Sequence, residues 1–326
     1  MNIVEDVKAR GMDAVREWGL ELDGAEPARA APDGEALPRA ALLTLADRVR
    51  RWHEAQRPSD VELEIEPGVV LERRWVPLQS IGVYVPRGLI STLVMCTVPA
   101  QVAGVERIVV VTPPSGAGLV AAAAEALGVD EVWALGGPQA IAWLAYVERV
   151  DRIVGPGNAY VNEAKLAVSR DVAIDLAAGP SEVVVVASNG TDSRIVDLEL
   201  AAQAEHGADT VCRVVGSLEE AEKLAPEHLV LLGEDAEARA GDVRNAGTVF
   251  VGASSPVAAG DYATGGNHVL PTGGWARSVG GLGIETFLKP VTIQRLTPDG
   301  LARVRPVAEA LAVAEGMPAH AAAVRR

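Results

Sequence analysis

Val183-Val184-Val185-Val186 offers no polar residue to either side of an extended chain. Successive side chains of a strand point to opposite faces, so such a run belongs in a sheet covered on both. Apolar strand-like runs recur at 81–85, 107–112, 131–135 and 152–154, and again at 172–175, 182–187, 210–215, 228–232 and 248–251. Helix-like stretches separate them near 90–104, 116–128, 138–147, 193–206, 217–224 and 234–244. Strand, turn and helix repeated in this way call for parallel pairing through crossover helices. The expected fold class is α/β, with two doubly wound Rossmann-like units.

Other elements flank these units. Residues 1–22 read as an amphipathic helix, 23–37 as an Ala/Pro/Gly linker, and 38–56 as a second helix. Val61–Ile65 and Val69–Trp75, separated by Glu66-Pro67-Gly68, read as a hairpin. A last helix is expected over 301–315, followed by a short tail. The domains expected are 1–80 (N-terminal helices and hairpin), 81–171 and 172–294 (the two α/β units), and 295–326 (a C-terminal helical tail).

With two Phe, four Tyr and six Trp in 326 residues, the core must be built from Ala, Val and Leu. The formal net charge of −15 repels phosphate backbones and anionic lipid, so neither nucleic acid nor membrane is an expected partner. Cys96 and Cys212 form no CxxC pair and are expected to be buried thiols in a reducing cytoplasm. No secretory leader and no apolar run of membrane-spanning length is visible.

Four of the five histidines sit in suggestive settings. Gln203 and His206, in Gln203-Ala204-Glu205-His206-Gly207, share a helical face and can offer an amide oxygen and an imidazole nitrogen to one ion. The alternative is helix capping, with Gly207 as the C-terminal glycine. Glu227-His228 stands where a helix gives way to an apolar strand, a loop-edge position of the kind α/β folds use for catalysis; a solvated charged pair is the plainer alternative. Asp261 and His268 lie in a Gly-rich stretch without periodicity, either a functional loop or an ordinary crossover. Glu315 and His320 fall in the C-terminal tail, otherwise a frayed terminus. Gln203, His206, Asp261 and His320 together supply O, N, O and N donors, a set suited to Zn²⁺.

Three glycine-rich turns could approach a phosphate or ribose at a helix start: Gly116-Ala117-Gly118, Gly136-Gly137-Pro138-Gln139, and Gly155-Pro156-Gly157-Asn158. The first imitates a dinucleotide fingerprint but lacks the acidic residue about twenty positions on.

The segments GVYVP (82–86), GGPQAIA (136–142), GPGNAYVNEAK (155–165), AGPSEV (178–183), QAEHG (203–207), APEHL (225–229), RNAG (244–247), GDY (260–262), GNHVLPT (266–272) and EGMPAH (315–320) closely resemble the histidinol dehydrogenase family. They run in one order over about three-quarters of the chain. The resemblance implies oxidation of L-histidinol to L-histidine through an aldehyde, in histidine biosynthesis, with two NAD⁺ used in succession. It implies one zinc per site, held by Gln203, His206, Asp261 and His320. His228 would take the alcohol proton, and Glu227 would activate the water that attacks the aldehyde. Ser181, His268 and Glu315 match substrate contacts; Tyr84, Gln139 and Asn158 match NAD contacts. The first α/β unit would then contact NAD and the second would carry zinc and substrate. The family is a homodimer, so Glu315 and His320 would complete the partner's site.

The sequence departs from the pattern in places. The segment from His206 to Glu227 is much shorter than in typical members, and the loop after GVYVP reads Arg87-Gly88-Leu89-Ile90-Ser91. A relative acting on another polar alcohol, or one with weakened cofactor binding, fits these changes. Retention of His268, Glu315 and His320 together favours an imidazole-bearing substrate. A non-catalytic binding homologue should have lost Glu227 or His228, and both are present.

Overall fold

The computed structural model describes residues 2–176 and 179–325, so Ala178 of the AGPSEV motif lies outside the described residues. The strands in chain order are β1 (Ala28–Arg29), β2 (Val61–Glu66), β3 (Val69–Pro77), β4 (Ser80–Tyr84), β5 (Arg107–Thr112), β6 (Glu131–Ala134), β7 (Arg152–Val154), β8 (Ala173–Ile174), β9 (Glu182–Ala187), β10 (Val211–Val215), β11 (His228–Leu232), β12 (Thr248–Val251) and β13 (Leu288–Leu296). The chain divides into two compact units, residues 1–57 with 78–287, and residues 58–77 with 288–326.

The larger unit is mixed α/β and holds two sheets. The first has the order β1-β6-β5-β4-β7-β8, parallel throughout except for β1, which runs antiparallel on β6. The second has the order β10-β9-β11-β12, all parallel. The Val183–Val186 run is buried on both faces, as its composition requires. One face packs Val183 and Val185 with Val230 and Phe250; the other packs Val184 and Val186 with Leu229 and Leu231. The first sheet is filled by Val109, Val111, Ile141 and Leu144, the small residues that the scarcity of aromatics demands.

Some elements differ from expectation. The strand expected at 172–175 is β8, and it pairs with β7 in the first sheet instead of opening the second. The helix expected over 1–22 breaks at Gly11, whose φ of 62° ends Ile3–Arg10 before Met12–Trp18 begins. Gly118 of the fingerprint-like turn lies inside the helix Ala117–Ala126, packed against Asp33, so a Cβ there would sit 2.8 Å from the Asp33 side chain. Its smallness serves that close packing. Cys96 is buried, but Cys212 is exposed because β10 is an edge strand with residues 212–214 open to solvent.

The smaller unit is an antiparallel sheet of order β13-β3-β2 with the helices Pro298–Ala314 and Pro318–Ala323. The expected hairpin is β2–β3. Strand β13 was not expected, because Pro290 interrupts its pattern; an edge strand tolerates a proline, and β13 pairs only with β3.

Candidate active site

The second sheet brings Glu227 and His228 together at the amino ends of its strands. Glu227 immediately precedes β11 and His228 opens it, while Ser181 and Glu182 stand at the start of β9. This is the opposite edge from the carboxyl ends where α/β sheets usually bind ligands. The chain reaches it through Ala225, which caps the helix Leu218–Leu224 in the left-handed conformation at φ 48°. A non-glycine residue there carries strain of about 1–3 kcal/mol.

Glu227 Oε2 accepts from the Ser181 hydroxyl at 2.6 Å and from the Glu182 N–H at 2.7 Å. Ser181 in turn accepts from Gln203 Nε2 at 2.7 Å. His228 Nδ1 lies 3.2 Å from the Glu182 carbonyl oxygen. A carbonyl only accepts, so Nδ1 carries the proton and Nε2 presents a bare lone pair. That Nε2 is buried without a hydrogen-bond partner, with Asp261 Oδ1 3.9 Å away. Both members of the pair are therefore held by one peptide unit on each side of Glu182.

Burial pushes the Glu227 carboxyl up to about 7, against the pull of the Ser181 and Glu182 hydrogen bonds. Burial acts oppositely on the imidazoles, lowering His228 to about 4 and His268 to about 4. Burial thus favours the neutral imidazole at His228 and holds the Glu227 carboxyl well above the usual carboxylate range.

Gln203, His206 and Asp261 surround the same place with donors suited to a cation. Gln203 is buried on the helix Ser193–Ala204, and its Oε1 has no hydrogen-bond partner although its Nε2 does. Asp261 is buried, its carboxyl raised to about 6 by burial, partly offset by His206. His206 Nδ1 is turned to the Gln203 carbonyl at 3.2 Å, which leaves Nε2 free to ligate. An orphaned amide oxygen beside a buried carboxylate is the arrangement an ion would resolve, so these residues fit zinc. Among the described residues no three His, Cys, Asp or Glu side chains by themselves form a metal-holding cluster. The fourth expected donor, His320, and Glu315 lie in the smaller unit, both exposed.

His268 is fixed by Nδ1 facing the Asp261 carbonyl at 3.1 Å and Nε2 facing Thr92 Oγ1 at 3.4 Å. Asn267 donates to the Met95 carbonyl at 2.8 Å, tying this loop to the helix Ile90–Ala103. Tyr84, Gln139 and Asn158 lie together at the carboxyl edge of the first sheet. Tyr84 ends β4, Gln139 follows β6, and Asn158 follows β7. Tyr84 and Gln139 are buried, Gln139 donating to Asp23 at 3.0 Å; Asn158 is exposed and caps the helix Ala159–Val168.

Two contributors escaped the sequence reading. Glu199 is buried one turn before Gln203, and its spacing on that helix face could have revealed it. Glu182 acts through its backbone, which no residue pattern announces.

A family model for histidinol dehydrogenase matches residues 1–221 and 214–326. The chain belongs to the histidinol dehydrogenase family. Its members are NAD-dependent oxidoreductases of histidine biosynthesis, and this chain is one of them. Histidinol dehydrogenase from Methanosarcina barkeri is 38% identical over 389 residues, covering 99% of this chain and 90% of the relative. That from Haloarcula marismortui is 40% identical, covering 100% and 92%. The crystal structure of histidinol dehydrogenase from Elizabethkingia anophelis superposes with a TM-score of 0.90 at 31% identity, covering 99% of this chain and 90% of that one. A succinate-semialdehyde dehydrogenase from Burkholderia pseudomallei, at 14% identity and TM-score 0.52, shares the fold alone. Alignments over 389 residues against a chain of 326 leave several dozen positions of the relatives without a counterpart. The two stretches of the family match meet in the short segment between His206 and Glu227.

Proposed function

We propose that this protein oxidises L-histidinol to L-histidine through histidinal, with Glu227 and His228 as its acid–base pair. The observation that carries the reading is geometric: His228 Nε2 is buried without a hydrogen-bond partner, beside a Glu227 carboxyl held by Ser181 and the Glu182 N–H and next to the orphaned Gln203 Oε1. When bound, NAD supplies the hydride acceptor for each step and zinc supplies a template that orients the substrate. Gln203, His206 and Asp261 of one chain would hold the metal, with His320 as the fourth protein ligand.

In the first step His228 Nε2 removes the alcohol proton as hydride leaves the carbinol carbon, giving the aldehyde. In the second, the Glu227 carboxylate takes a proton from water as its oxygen adds to the aldehyde carbon; hydride loss from the resulting alkoxide of the hydrate to NAD then gives the carboxylic acid, which releases its proton to solvent as the carboxylate. Ser181, His268 and Glu315 position the substrate, while Tyr84, Gln139 and Asn158 of the first sheet face the cofactor. The two sheets of the larger unit, the first running to β8 and the second from β9 to β12, thereby divide cofactor from zinc and substrate. The segment 295–326 serves the partner subunit of a homodimer. Burial of apolar residues against that partner accounts for Val307, Leu311, Val313 and Met317, all exposed in the single chain.

Two expected results follow from this assignment. Glu227→Gln slows oxidation of supplied histidinal far more than oxidation of histidinol to the aldehyde. In the unaltered enzyme the aldehyde step gains rate as pH rises through about 7, where Glu227 ionises, and the variant lacks that acid limb. Stopped-flow NADH traces with each substrate across pH measure both; equal slowing of the two steps contradicts the assignment.

The second concerns the ion. Zinc at a hundred times its dissociation constant stabilises the fold by about 2.7 kcal/mol, so Tm rises on its addition. Gln203→Leu removes the orphaned oxygen and should abolish most of that rise in differential scanning fluorimetry. A full zinc-dependent rise in the variant removes Gln203 from the ligand set.

A further inference from the structure

Lys165 is 1% exposed and Asp175 2%, and the reaction above uses neither. Lys165 lies on the helix Ala159–Val168 and Asp175 just past β8, and their side chains form an ion pair. The pair does more than neutralise itself. Asp175 Oδ2 accepts from the Gly155 N–H at 2.7 Å, and Lys165 Nζ donates to the Gly155 carbonyl at 2.9 Å. Both polar groups of one glycine are thus gripped by opposite charges, and the ion pair closes the ring between them.

Gly155 begins the loop that leaves the carboxyl end of β7 and leads to Asn158. Its φ of 112° suits glycine, and a Cβ there would run into the Tyr84 carbonyl at the end of β4. Further along, Asn162 Nδ2 donates to the Gly157 carbonyl at 2.8 Å, and Asn158 Oδ1 caps the Val161 N–H at 3.1 Å. The loop is fixed at both ends, and its first residue is pressed onto the strand that carries Tyr84.

A buried ion pair contributes little net stability, because desolvation of both charges offsets their attraction. Apolar residues of similar volume would fill the space as well. What they would not do is hold a peptide by its N–H and its carbonyl together. We propose that the Lys165–Asp175 pair is a positioning device that locks the Gly155–Asn158 loop against Tyr84 in the geometry that receives the cofactor. The inference rests on the assignment of this sheet edge to NAD.

The test compares the double variant Lys165→Met/Asp175→Leu with the polar pair Lys165→Gln/Asp175→Asn. The double variant removes both charges together, leaving no lone buried ion; the polar pair also carries no charge but keeps an acceptor for the Gly155 N–H and a donor for its carbonyl, and guards against a misfolded double. Two readouts are taken: hydrogen exchange of the Gly155 amide by NMR, and KM for NAD against KM for histidinol. In the double variant Gly155 exchange should accelerate at least ~100-fold, and KM for NAD should rise ~10-fold or more. KM for histidinol should change less than twofold, because none of the residues assigned to substrate lies on this loop or on β7, β8 or the helix Ala159–Val168. The polar pair should fall between the double variant and the unaltered enzyme on both readouts. Unchanged Gly155 protection in either folded variant, or an unchanged KM for NAD, overturns the proposal. Should the unaltered protein show no NAD-dependent turnover, the proposed function fails first, and the exchange measurement still tests the lock alone.

Discussion

His228→Asn is expected to lower kcat for histidinol oxidation by about 10²–10⁴-fold, the usual contribution of a general base. Asn is the informative replacement. Its side-chain N–H₂ can still donate to the Glu182 carbonyl that now receives His228 Nδ1. It has no counterpart to the bare Nε2, so the scaffold is kept while the proton acceptor is lost. Part of the packing against the Phe250 ring, 5.9 Å away, is given up and should cost some stability. Zinc affinity should not change, because the residues assigned to the metal are Gln203, His206, Asp261 and His320. Calorimetric zinc titration and single-turnover NADH formation separate the two effects. A loss of rate below tenfold, or a loss of metal with the rate, removes His228 from the role of base.

Activity should also return when two inactive variants are combined. His320→Ala removes the ligand proposed to come from the C-terminal segment, and His228→Asn removes the proposed base on β11. His320 and Glu315 lie in a separate compact unit and are exposed in the single chain. A ligand on an undocked terminal segment would have to be ordered at an entropic cost before it could bind. Seating that segment on a neighbour supplies the order, and an isologous dimer repeats the arrangement twice. In a heterodimer of the two variants, one site receives both lesions and the other neither. Heterodimers purified through two different tags should recover about half of the unaltered activity per dimer, whereas each homodimer has almost none. Heterodimers that form and stay inactive would mean that each chain builds its site from its own residues.

The second sheet was legible because its strands announce themselves. A run of four valines allows only a strand buried on both faces, and the helix-to-strand switch before Glu227 placed the acid–base pair at a strand start. Strand β13 was hidden by Pro290, which reads as a strand breaker unless the strand is known to be an edge. Strand β8 joined the first sheet, a choice that depends on pairing rather than on its own residues. Exposure of Cys212 was equally unreadable, since an apolar neighbourhood says nothing about whether a helix covers that edge of the sheet. Within the site, the resemblance supplied the cast of side chains. Their protonation was not visible in it, because burial sets the Glu227 and His228 values and burial is a property of the packed chain.

Glu182 carries a lesson for anyone scanning this protein by substitution. Its N–H holds Glu227 at 2.7 Å and its carbonyl faces His228 Nδ1 at 3.2 Å, yet its carboxylate only reaches out to the Gly273 N–H at 3.0 Å. Alanine or glutamine at this position leaves both inner contacts in place and removes only the carboxylate's smaller electrostatic influence on Glu227, so a side-chain scan does not probe the peptide groups that aim the proposed pair. Only proline, which has no N–H to give, makes its work visible. Tolerance maps of this enzyme therefore undercount what the backbone of Glu182 does.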